Sequence, residues 1–211
     1  MRFKKAAAGV ASVLMVSGVI GVASAPVTDA ATGCASYDPG YRTTAGLFTP
    51  ARAVVSSGVG SRHVVGVGLT STGQMGAPPK TAAGLQTFGW YNRGYPPGYG
   101  SGSVAMDAHV YFPNGTLRST QGGLALGNAL LLRLYAGGTV TLYNSAGTRH
   151  ICYRVTSRTQ YTPTQAQAQM HNVIYGRSGG QQLAIVVCSG TRLANGSYTR
   201  RTIFRAWAVA P

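Results

Sequence analysis

Leu183-Ala184-Ile185-Val186-Val187-Cys188-Ser189-Gly190 is an apolar run that stops at a cysteine and passes directly into a Ser-Gly turn signal. Its short length and β-branched content mark it as a strand. The abrupt stop puts the sulfur at a strand end, where a site can open. A second strand follows around Gly196-Ser-Tyr-Thr-Arg200-Arg201-Thr-Ile-Phe-Arg-Ala206, and Arg201 lies thirteen residues after Cys188. Upstream, His109 closes the strand Gly102-Ser-Val-Ala-Met-Asp107-Ala-His109. A thiolate that attacks, an imidazole that moves protons and a guanidinium that holds an oxyanion are the parts of cysteine acyl transfer. The competing reading of Cys188 is a small buried hydrophobe.

The texture around these strands is that of a turn-rich β protein. Ala53-Val-Val55 and His63 to Leu69 are apolar runs, with turn signals at Ser71-Thr-Gly-Gln74 and Ala77-Pro-Pro-Lys80. Phe88-Gly-Trp-Tyr91 is an aromatic patch ahead of a Gly/Pro/Tyr loop. Leu130-Leu-Leu-Arg-Leu134 leads into a turn at Ala136-Gly-Gly-Thr139. Thr139–Tyr143 and His150–Val155 flank Asn144-Ser-Ala-Gly-Thr148 as a hairpin. Thr164 to His171 is the best helical candidate, after a Pro-Thr start signal. Seven to nine strands with one or two short helices predict an all-β, closed barrel.

Composition excludes several chemistries. The chain of 211 residues has three acidic residues, Asp29, Asp38 and Asp107, and no Glu. Glycosidase chemistry by paired carboxylates and oxygen-ligand calcium or magnesium cages lack their ligands. His63, His150 and His171 have no Cys or His at zinc-like spacing, so neither a metal nor any other cofactor is expected. The net charge of +15 attracts polyanions, but the cations are scattered rather than clustered. An anionic cell envelope fits that pattern, and nucleic acid is not expected as a partner.

The N-terminus reads as a targeting segment. Arg2, Lys4 and Lys5 precede an uncharged stretch from Ala6 to Val27. Ala23-Ser-Ala25 and Asp29-Ala-Ala31 offer cleavage sites, an uncleaved membrane anchor is equally compatible, and Cys34 is a third possibility through lipid attachment. The expected organisation is a signal or anchor over residues 1–31, a flexible linker over 32–50 and a catalytic barrel over 51–211. Export gives meaning to the three cysteines, because thiols outside the cytoplasm tend to pair. Cys34 with Cys152 would leave Cys188 free.

Taken in order, five blocks resemble the sortases, the cysteine transpeptidases of bacterial cell walls, and most of all the actinobacterial type labelled class F. They are Val65 to Pro79; Phe88-Gly-Trp-Tyr91 with its loop; Gly102 to Val110; the hairpin entry at 130–140; and Leu183 to Cys188 with Gly196-Ser-Tyr198 behind it. The resemblance implies an eight-stranded sortase-type barrel that binds a Leu-Pro-x-Thr-Gly-type sorting signal. It implies that Cys188 forms a thioacyl intermediate, His109 acts as general acid and base, and Arg201 stabilises the oxyanion and substrate, with Arg200 the fallback. It further implies an amine acceptor from a wall precursor or a pilin, an extracytoplasmic location at the membrane or wall, and a monomer.

Two departures stand out. Sortases usually carry Thr directly before the cysteine, where this chain has Val187. Arg200 and Arg201 are adjacent, and strand alternation lets only one of them reach Cys188. Asp107 shares a strand face with His109 and is either a tuning group or a solvated carboxylate. Two other enzyme classes fit less well. L,D-transpeptidases place Gly before the cysteine, not after it, and papain-like peptidases place Cys well before His. A degenerate sortase-fold domain that binds anionic wall polymer or nucleic acid is the non-enzymatic alternative.

Overall fold

The structure, a computed structural model, describes residues 34–36, 38, 41, 43–110, 124–175 and 179–211. The targeting segment over 1–31 lies outside them. Among the described residues eight strands close into one barrel: β1 (Arg52–Val55), β2 (Gly60–Val67), β3 (Phe88–Tyr91), β4 (Ser103–Ala108), β5 (Thr139–Tyr143), β6 (His150–Tyr161), β7 (Gln182–Arg192) and β8 (Tyr198–Val209). Their order around the barrel is β1-β2-β3-β4-β7-β8-β6-β5, with β5 closing onto β1. The β2–β3 and β4–β7 pairs are parallel and the rest antiparallel.

Alternation along the strands decides what fills the barrel. Leu183, Ile185 and Val187 of β7, Val104 and Met106 of β4, and Phe204 and Ala206 of β8 all belong to one buried core with Phe88, Leu142 and Tyr153. The intervening residues of β4, β7 and β8 face outward, where helix α2 (Pro163–Tyr175) packs against β4, β6 and β8. The start of α2 is set locally. Thr162 Oγ1 accepts from the Gln165 N–H at 3.3 Å, while the Gln165 side chain accepts from the Thr162 N–H at 3.0 Å. That reciprocal pair is a capping box, and Pro163 occupies the first helical position.

The leucine run ahead of the Gly-Gly turn forms helix α1 (Leu126–Arg133), which buries Leu126 and Leu130. Ala125 precedes it with no side-chain cap. The N-terminus of α1 is held by chain coming off β4: the Gly127 N–H donates to the His109 carbonyl at 2.7 Å, and the Asn128 amide donates to the Val110 carbonyl.

Some residues read as a linker lie against the barrel. Phe48 is part of the core, and the Ala35 N–H donates to the Ala210 carbonyl at 2.9 Å. Cys34 is bonded to Cys152 of β6 across 118 residues, with a Cα separation of 5.9 Å that suits a disulfide. The Arg154 guanidinium reinforces the join by donating to the carbonyls of Cys34, Ala35 and Gly137. The bridge uses the Cys34 thiol that lipid attachment would need. Among the described residues no helix is long and apolar enough to cross a membrane.

Candidate active site

Cys188 is the free cysteine among the described residues and is half-buried on the outward face of β7. Its register partner on β8 is Arg201, and Ser189 pairs with Arg200. Residues directly opposite each other in an antiparallel ladder project to the same face. Arg201 therefore shares the outward face with Cys188. Arg200 projects to the other face, is exposed and packs its stem beside Gly190. On the opposite flank β4 runs parallel to β7 with Ala108 beside Val187, so one further step along each chain reaches His109 and Cys188.

These three side chains line one cleft of about 910 Å³. Its walls come from the β2–β3 connection (Leu69, Met75, Lys80), from α2 (Ala166, Met170) and from the turn into β8 (Gly196, Ser197). The result is a partly apolar cleft with the Cys188 thiol at one wall. Among the described residues no cluster of three His, Cys, Asp or Glu could hold a metal.

His109 is positioned twice. Its carbonyl is held by α1, and its Nε2 lies 2.7 Å from the Pro78 carbonyl. Val187 points inward, is 1 % exposed and pairs with Thr202, whose hydroxyl donates to Ser189 Oγ at 2.9 Å. The position where sortases usually carry Thr thus falls on the core face of β7, away from the cleft.

Electrostatics pull on the thiol from several sides. Burial raises the Cys188 pKa above its ordinary value, Arg201 and Lys80 pull it back down, and an ionised Asp107 would push it further up. Asp107 faces the same cleft from β4. Burial holds its own carboxyl well above the usual range, against the backbone N–H groups of Asp107 and Gly89 that favour the anion. Its Oδ1 has no hydrogen-bond partner among the described residues. The carboxyl fits only because β3 carries Gly89 opposite it, where a Cβ would collide with Oδ1.

Sequence reasoning brings Cys188, His109 and Arg201 to the site but misses Lys80 and the Pro78 carbonyl. Ala77-Pro-Pro-Lys80 reads from sequence as a turn marker alone. A carbonyl that binds a histidine 31 residues away leaves no trace in residue type. His171 lines the far wall of the cleft, whereas His150 stacks on Tyr143 at the hairpin.

No family model and no curated protein sequence matches the chain. Solved structures do match in fold. Sortase C-1 from Actinomyces oris superposes with a TM-score of 0.51 at 14% identity, over 78% of this chain and 77% of that one. The SrtA sortase from the same organism gives 0.51 at 13% identity, over 83% and 84%. Sortase C of Streptococcus pneumoniae gives 0.51 at 12% identity over 76% of this chain. The alignment spans 66% of that streptococcal chain, just under two thirds of its length. The fold is that of the sortases.

Proposed function

We propose that the chain is a sortase-type cysteine transpeptidase of the class F kind, exported and working at the cell membrane or wall. The observation that carries this reading is the register of Cys188 with Arg201 at the wall of a cleft that also holds His109. The Cys34–Cys152 bridge supports an oxidising, extracytoplasmic setting.

In this mechanism the Cys188 thiolate attacks the Thr carbonyl of a Leu-Pro-x-Thr-Gly-type sorting signal. The tetrahedral oxyanion forms beside the Arg201 guanidinium, a preorganised cation that gains most as charge develops. His109, protonated by the thiol, returns that proton to the departing glycine amine, and the C–N bond breaks to leave a thioester. An amine of a wall precursor or pilin then gives a proton to His109 and attacks the thioester, releasing the thiol. Water substitutes slowly. The carboxyl of Asp107, held toward its neutral form, adds little opposing charge beside the oxyanion.

Mass spectrometry of the purified protein with a panel of such peptides and an amine acceptor tests the reading. A thioacyl adduct mapped to Cys188, followed by ligated product, supports it. An unreactive Cys188 with no adduct across the panel replaces it with a binding domain on a sortase scaffold.

A further inference from the structure

The β2–β3 connection, residues 68–87, does more than form a wall of the cleft. Pro78 is the one buried residue in its stretch 76–80. Its ring packs at the outer face of β3, where a Cβ added to Gly89 would approach Pro78 Cδ to 3.0 Å. The turns on both sides are tied down. The Gly76 N–H donates to the Gly68 carbonyl at 2.8 Å, and the Thr81 N–H donates to the Pro79 carbonyl at 2.8 Å. Pro79 in turn lies so close to Gly84 that a Cβ there would meet the Pro79 carbonyl. The two prolines also have φ fixed by their rings. A carbonyl held by that much structure is a built hydrogen-bond acceptor, and the group it receives is His109 Nε2 at 2.7 Å.

A carbonyl oxygen can only accept, so the nitrogen facing it must carry the proton. In the neutral imidazole the lone pair then sits on Nδ1. Resting on the function proposed above, we infer that the Pro78 carbonyl is a positioning group that fixes His109 as the Nε2–H tautomer, making Nδ1 the nitrogen that exchanges protons with Cys188 and the amines. Nδ1 takes the thiol proton, giving an imidazolium whose Nε2–H stays on Pro78, and Nδ1 returns a proton to the leaving amine. The incoming amine then reloads Nδ1. The main chain of His109 is anchored by α1, so ring rotation is the freedom that remains for Pro78 to fix.

The test is a long-range 15N–1H spectrum of the full chain labelled at histidine, recorded where the imidazoles are neutral, with His109→Gln identifying the signal. The expected result is a protonated, pyrrole-like Nε2 and a bare, pyridine-like Nδ1. The opposite tautomer, or averaging between the two, overturns the inference. Pro78→Gly keeps the carbonyl but releases the ring that anchors it. It should mix the tautomers and lower kcat for acyl transfer by about tenfold with little change in KM, short of the ~10²–10⁴-fold loss for removing the base itself. Pro78→Ala should restore part of both. An unchanged tautomer in a folded Pro78→Gly variant overturns the role given to Pro78, and the wild-type spectrum decides the tautomer should that variant not fold. Failure of every peptide to acylate Cys188, with the Nε2–H tautomer intact, instead overturns the proposed function and with it the proton path.

Discussion

Cys188 and Arg201 face each other across the β7–β8 ladder, while the neighbouring pair, Ser189 and Arg200, projects to the other face. Two adjacent arginines of identical chemistry therefore have unequal access to the cleft. Arg201→Ala should reduce kcat for acyl transfer by about 10²–10³-fold, the usual cost of losing one oxyanion donor. Arg200→Ala should leave turnover close to wild type. Side-by-side steady-state kinetics on one sorting peptide decide the matter, and equal losses in both variants would refute the division of roles that the register implies.

Cys188→Ala should abolish thioacyl formation without unfolding the protein. The side chain is half-buried at the margin of the core, so truncation to Ala should cost about 1 kcal/mol or less. Urea melts and intact-mass measurements on the same preparation separate the two effects. Turnover retained in that variant removes Cys188 as the nucleophile.

The thiol sits where burial opposes ionisation and two cations favour it. Alkylation by iodoacetamide should therefore climb with pH through a midpoint above the ordinary thiol value of about 8.5. Removing a cation removes support for the thiolate, so Lys80→Gln and Arg201→Ala should each move the midpoint further up. A midpoint below the ordinary value in the wild-type protein contradicts that balance of forces.

Much of this arrangement is legible in the amino-acid sequence. The apolar run up to Cys188, the strand running up to His109 and the Thr-Pro-Thr-Gln start of α2 carry their signals locally. The Ser-Gly after Cys188 does not end the strand: β7 continues to Arg192, so the sulfur lies within it and not at its end. The closed eight-stranded barrel follows from the count of short strands together with the sortase resemblance. Helix α1 is not readable as one, because Ala125 supplies no cap and four consecutive apolar residues near its end hide the helical period. The choice between Arg200 and Arg201 needs the β7–β8 register, a long-range property. The places of Lys80 in the cleft and of the Pro78 carbonyl beside His109 depend on the path of the β2–β3 connection, which residue types alone do not encode. In sequence Val187 reads as a departure from the usual sortase Thr, and only its inward orientation shows that the departure falls on the core side.

The Cys34–Cys152 bridge closes a loop of 118 residues. Constraining so long a loop restricts the unfolded chain, and losing the bridge should cost about 2–5 kcal/mol. Urea unfolding with and without reductant should show the midpoint falling on reduction, and a Cys34→Ser/Cys152→Ser variant should match the reduced protein and ignore the reductant. Coincident curves for oxidised and reduced wild type would remove the bridge as a stabilising element.

Asp107 presents the opposite case, a group held in the fold at a cost. Its folded pKa is raised by burial, so the native state keeps the proton more tightly than the unfolded chain does. Below the unfolded pKa both states are protonated and no penalty exists. As pH rises past about 3.9, the unfolded chain releases the proton first and native stability falls until the folded carboxyl also ionises. Asp107→Asn removes the titration while retaining shape and nearly the same volume beside Gly89. The variant should therefore be more stable than wild type at pH 7, and the difference should shrink toward pH 3. Paired urea melts at the two pH values measure this. An Asn variant less stable at pH 7 would mean that the carboxylate is satisfied in the fold, and the Gly89–Asp107 contact would then be an anion site instead of a home for a neutral acid.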